Sequence, residues 1–159
     1  MKAFFNQHQD LYDQNEPPIY DCSQIPEVEI IEQNFEIIKE ELFAVLNDDK
    51  LKRLAFKKKR YHKSPNWEQI ELLIYGLNYK EKQQLFPKTY ELLSKIDGVS
   101  TIYFSFLYKN SDIKAHNGDT DAFYRIHLGM KIPDTLPACG IEIGGNQRAW
   151  EEGKCIAFN

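Results

Sequence analysis

Cysteine is scarce in this chain, and its placement excludes two classes of small protein. The three thiols, Cys22, Cys139 and Cys155, are odd in number and none sits in a CxxC pair. That pattern fits reduced structural thiols rather than a disulfide framework or a zinc site. Long apolar runs are missing too, and no stretch approaches the roughly 18 to 20 residues needed to cross a bilayer. The amino-terminal segment carries Gln7, His8, Gln9 and Asp10 soon after Phe4 and Phe5, which is not the basic-then-apolar layout of a secretory signal. A cytoplasmic location is therefore expected, with no membrane partner. A basic excess is also lacking. The net charge of -4 argues against nonspecific nucleic-acid binding as the main activity. Internal repeats and low-complexity segments are absent.

What is present suits one soluble domain over residues 1–159. Hydrophobic residues make up 42% and charged residues 28%, enough apolar surface to build a core at this length. One local basic cluster runs from Lys50 to Lys63 and includes Lys52, Arg53, Lys57, Lys58, Lys59 and Arg60. A solvated face accounts for it; a docking patch for an acidic partner is the alternative. It lacks the interleaved aromatics that stack bases, so no nucleic acid is expected.

The first 26 residues, broken by Pro17, Pro18 and Pro26, read as an extended arm laid on the core. From Glu27, the residues Val28, Ile31, Phe35, Ile38, Leu42 and Val45 recur at steps of three and four, which predicts a one-sided helix ending near Asn47-Asp48-Asp49. A second helix is expected from Trp67 to Leu77, capped by Ser64 or Asn66, and a third from Pro87 to Lys95. After Gly98 the period changes to two. Ile102, Phe104, Phe106 and Tyr108 fall on one face, with Tyr103, Ser105 and Leu107 on the other. Ile126, Leu128, Met130 and Ile132 oppose Arg125, His127, Gly129 and Lys131 in the same manner. Gly140 to Gly144 and Lys154 to Phe158 supply two further short strands. The expected class is α+β: residues 1–98 form the arm and helical support, and residues 99–159 a β-sandwich or jelly roll.

Chemistry concentrates between Ser105 and His127. Arg125 and His127 share a strand face, and cationic donors on an otherwise apolar strand are costly to bury without an anionic partner. Together they suggest a carboxylate pocket. Taken singly, each residue has a plainer reading. His116 beside a turn is commonly a surface residue, and Trp67 at helical spacing is commonly core. Arg125 could pair with Asp119, Asp121 or Glu142.

The order and spacing change that balance. The chain reads Trp67-Glu-Gln-Ile-Glu-Leu-Leu-Ile-Tyr-Gly76, Phe86-Pro87-Lys88-Thr89, Tyr103 to Ser105, His116-Asn117-Gly118 and Arg125-Ile126-His127-Leu128-Gly129. It closes with Trp150-Glu151-Glu152-Gly153-Lys154 and Phe158. This series resembles the aspartyl/asparaginyl β-hydroxylase family of Fe(II)- and 2-oxoglutarate-dependent dioxygenases. The resemblance implies a cupin-like double-stranded β-helix, with His116 as an iron ligand and catalytic residue. It implies that Trp67, Ser105, Arg125 and His127 bind 2-oxoglutarate. Gly118 stands where other iron sites of this chemistry place a carboxylate ligand, so the resemblance implies a site held by histidines and water. The expected substrate is an aspartyl or asparaginyl side chain of a peptide or protein, or a small acidic metabolite. The lack of a lipid-anchoring segment disfavours a lipid.

The family also has a second iron-binding histidine and a further arginine beyond the phenylalanine matching Phe158. The expectation is thus of a carboxyl-terminally truncated fold, with an open sheet edge after Phe158. The alternative function is a catalytically inactive member that binds a ligand or a protein. A cupin-like binder of any dicarboxylate is a third reading.

Overall fold

A computed structural model describes residues 17–57, 66–118, 120 and 122–159. They divide into two compact units, residues 36–114 and residues 1–35 with 115–159. Both mix helices with antiparallel sheet, so the α+β class holds.

In the unit of residues 36–114, helix α2 (Phe35–Asn47) buries Ile38, Leu42 and Val45. These are the apolar positions that its sequence period assigns to one side. Asp48 then caps α3 (Asp49–Ala55), its carboxylate accepting from the N–H groups of Lys50 and Leu51 at 2.8 and 2.9 Å. Lys50, Lys52, Arg53 and Lys57 of the basic cluster are exposed here; Lys58 to Lys63 lie outside the described residues. Strand β2 (Trp67–Ile74) turns back into β3 (Leu77–Asn78), α4 (Lys80–Gln83) and α5 (Pro87–Leu93) follow, and β4 (Ile102–Leu107) completes the sheet in the order β3-β2-β4.

Strand β2 corrects the helix expected from Trp67 to Leu77. It is the central strand, and Ile70, Glu71, Leu72 and Leu73 are all buried, so both faces are covered. A strand hidden on both sides loses its alternation and cannot be told from a buried helix by period. The two-residue turn Tyr75-Gly76 has positive φ at both positions, 47° and 79°, the geometry that twists hairpin strands together. Strand β4 fits its expected pattern, with Ile102 and Phe104 buried and Tyr103, Ser105 and Leu107 exposed.

The other unit contains β1 (Ile19–Tyr20), α1 (Pro26–Gln33), β5 (Arg125–Leu128), β6 (Ile141–Ile143), β7 (Asn146–Arg148) and β8 (Cys155–Phe158). The single helix expected from Val28 to Val45 is interrupted at Asn34, where φ is −103° and ψ 13°. The Asn34 amide donates to the Ile30 carbonyl at 2.8 Å, competing for an acceptor that a continuous helix would use. Helix α1 packs on β5 and β8. Its Glu32 accepts from the Cys155 N–H at 2.8 Å and from Lys154 Nζ at 2.9 Å.

Strand β8 lies in the middle of the sheet β1-β8-β5. The open edge expected after Phe158 is therefore not there. Residues Ile19 and Tyr20 of the arm pair with Phe158 and Ala157, while Arg125 to Leu128 pair along the other edge. Strands β1, β2 and β3 all precede residue 98, in the segment expected to be arm and helical support alone. Hairpin β6-β7 turns on Gly144-Gly145, both at positive φ.

Candidate carboxylate-binding site

Strand β5 presents the candidate site of the unit formed by residues 1–35 and 115–159. Arg125 and His127 project from one face, opposite Phe158 and Ile156 of β8. Both are half-buried. Among the described residues no side chain bonds the Arg125 guanidinium and none bonds the His127 ring nitrogens. Asp119 and Asp121 fall outside the described residues, and Glu142 is occupied by Gln147. A half-buried guanidinium with no carboxylate partner among the described residues can receive an external one.

Gly118 makes room for that guanidinium. A Cβ added at residue 118 would lie 2.7 Å from Arg125 Nη2 and 3.0 Å from Nη1. The Arg125 fork thus lies against a residue with no side chain to displace it. His116, two residues earlier, is exposed on irregular backbone. Among the described residues no group of three or more His, Cys, Asp or Glu side chains forms a metal-holding cluster.

His127 is enclosed by aromatic rings. Phe158 meets it edge-on at 4.7 Å and 85°, and Trp150 lies stacked at 6.3 Å and 22°. Burial pushes its pKa down to about 4, and the neighbouring Arg125 charge lowers it further in the same direction. The imidazole is accordingly neutral at pH 7. It can donate one hydrogen bond to a carboxylate while Arg125 supplies the charge.

The remaining candidates, Trp67 and Ser105, belong to the other unit. Trp67 opens β2, and its indole N–H donates to Ser105 Oγ on β4 at 2.7 Å. The antiparallel register places Gln69 opposite Ser105 and Trp67 opposite Leu107, so the bond runs diagonally across the sheet. Two residues 38 positions apart are thereby joined in the sheet, as neither periodicity nor composition could show. Tyr108 donates to Glu68 at 2.6 Å on the same strand pair, and burial with the Glu68 carboxylate raises the phenol to about 12.

Sequence reasoning gave Trp150 and Gly129 no role. Their signal was the glycine in each of Arg-Ile-His-Leu-Gly and Trp-Glu-Glu-Gly-Lys, which marks backbones that approach closely.

Fold and site define an α+β protein in which one strand face, that of Arg125 and His127, can receive a carboxylate. Comparison with known proteins makes the assignment specific. The family model described as Aspartyl/Asparaginyl beta-hydroxylase matches residues 32–159, and the chain belongs to that family. It is 26% identical over 147 residues to the ornithine lipid ester-linked acyl 2-hydroxylase of Rhizobium tropici, covering 90% of this chain and 52% of that protein. It is 29% identical over 138 residues to the aspartyl/asparaginyl beta-hydroxylase of Homo sapiens, covering 83% of this chain and 18% of the human protein. Aspartate beta-hydroxylase domain-containing protein 2 of Xenopus tropicalis is 28% identical over 151 residues, with 86% and 38% covered. The chain thus spans about half of the Rhizobium protein and less of the other two. Among the described residues no helix is long and apolar enough to cross a membrane.

Proposed function

We propose that this chain is an Fe(II)- and 2-oxoglutarate-dependent hydroxylase, built on a jelly-roll domain and working in the cytoplasm. The observation carrying this reading is the half-buried Arg125 without an acidic partner among the described residues, set beside a neutral His127 on one strand face. A guanidinium fork matches a carboxylate in two hydrogen bonds, and a neutral imidazole adds a donor without a second charge. That donor set fits 2-oxoglutarate. The roles that the resemblance implies for Trp67 and Ser105 belong to the same proposal.

For iron, the described residues offer His116, an exposed imidazole of the right chemistry for Fe(II). When bound, iron and 2-oxoglutarate supply the oxidation that turns O2 and the keto acid into succinate, CO2 and a hydroxylated C–H bond. The protein's part is to hold the keto acid by its carboxylate on Arg125 and His127, with Gly118 leaving room for the guanidinium.

The substrate is proposed to be an aspartyl or asparaginyl side chain or a small acidic metabolite. The human relative's name supports the first; the Rhizobium relative's name adds a lipid acyl chain to the test panel. Succinate release with iron, ascorbate and 2-oxoglutarate, measured against each substrate class together with 2-oxoglutarate binding, decides the matter. Succinate matched to product supports the hydroxylase. Binding without turnover on any substrate identifies an inactive, ligand-binding member. No binding overturns both.

A further inference from the structure

Beyond the residues already given roles, the segment after β7 forms a second structure on the end of β5. Gly129, which follows Leu128, has no Cβ, and one built there would collide with the Glu151 carbonyl. Two backbone bonds use that closeness. Gly129 donates to the Lys154 carbonyl at 3.0 Å and accepts from the Gly153 N–H at 2.9 Å. Gly153 sits at φ 75° with its α-carbon against the Phe35 ring, and the Ile132 N–H donates to the Glu152 carboxylate at 3.2 Å. The loop is thus fastened just after Glu151, at Glu152, Gly153 and Lys154. Its preceding residue, Trp150, is carried onto the His127 ring.

We propose that Trp150 is a positioning residue, clamping the His127 imidazole against Phe158 so that its donor is aimed beside the Arg125 guanidinium. The clamp is made by two segments distant in sequence, Arg125 to Gly129 and Trp150 to Lys154, and Gly129 is what lets them meet. This inference rests on the 2-oxoglutarate reading for its ligand, but not for its geometry.

Three arguments support it. Ring faces at 22° and 85° close the imidazole from two directions, leaving fewer rotamers than an open strand position allows. The low pKa of His127 has burial as its largest cause, and these rings provide burial. The other titratable groups on the elements packed against β5 are committed elsewhere. Glu32 holds Lys154 and the Cys155 N–H, Glu29 accepts from Gln33, and Glu27 accepts from Tyr124 at 3.4 Å. Cys155 itself is pushed up to about 12 and stays a thiol. Arg125 is the one charge acting on the ring that accompanies burial.

The test follows the His127 Cε1–H resonance through a pH titration, assigned with His127→Asn, alongside calorimetric binding of 2-oxoglutarate alone at pH 7. Trp150→Ala should raise the His127 midpoint by about one unit or more toward 6.5 and weaken 2-oxoglutarate roughly tenfold. Trp150→Phe should restore most of both, because the ring face is kept. Trp150→Leu keeps apolar bulk without a ring; should the alanine variant not fold, the contrast between leucine and phenylalanine gives the answer. A folded alanine or leucine variant with the midpoint and affinity of the parent overturns the clamp. A moved midpoint in a protein that never binds 2-oxoglutarate upholds the clamp and rejects the cofactor reading.

Discussion

Arg125 and Gly118 show how little space separates a binding site from a blocked one. Adding one methyl at residue 118 would bring it to 2.7 Å from a guanidinium nitrogen. That nitrogen ends a flexible side chain, so the arginine would swing aside rather than the backbone distort. Gly118→Ala is therefore expected to leave thermal stability nearly unchanged and, under the proposed function, to weaken 2-oxoglutarate binding about tenfold, the loss of one charge-assisted hydrogen bond. Calorimetry beside a melting curve checks both parts. The pairing of Arg125 with His127 was legible in the sequence, since a strand repeats every two residues. The seat for the guanidinium at Gly118 was not, because it depends on where the chain passes seven residues earlier. The rings around His127 were equally hidden. Trp150 and Phe158 reach it from another strand and a distant loop.

At the scale of elements, helix α5 owes its start to a side chain borrowed from another helix. The Glu41 carboxylate of α2 accepts from the backbone N–H groups of Lys88 and Thr89 at 2.9 and 2.7 Å. Those groups open α5, whose preceding residue, Phe86, makes no side-chain cap. Glu41→Ala should cost about 1–2 kcal/mol by chemical denaturation, the usual loss for a helix cap. Central strand β2 carries the buried pair Glu71–Lys82, 2.5 Å apart. Removing one partner leaves an uncompensated charge, so Lys82→Met should destabilise by about 3–5 kcal/mol. Adding Glu71→Leu should recover most of that loss, as the remaining charge then disappears. The helix at Pro87 was readable from its initiating proline, and strand β4 because one-sided burial prints a clean alternation on the sequence. Strand β2 was not, because coverage of both faces erases it. Asn34 likewise broke a helix whose apolar spacing runs on unbroken from α1 into α2.

For the molecule as a whole, the clearest expected response is to acid. His127 has an unfolded value near 6.5 and a folded value of about 4. Between those values the unfolded chain binds more protons than the folded one, so stability falls as pH drops from about 6.5 to about 4. Below the folded value this group has no further effect. The loss is on the order of 3 kcal/mol for a shift of this size, and urea denaturation at a series of pH values measures it. His127→Asn should flatten that window. The sequence by itself determined the family, through ordered motifs from Trp67 to Phe158, and determined the strand face shared by Arg125 and His127. Resemblance of those motifs to a known family suffices for the first, and local alternation along one chain for the second. Only the tertiary structure decided that β8 lies between β1 and β5, that Trp67 bonds Ser105, and that Gly129 brings Trp150 over His127. Each of these joins residues far apart in sequence. Their meeting depends on how strands pair and where glycine lets backbones touch, which no local pattern records.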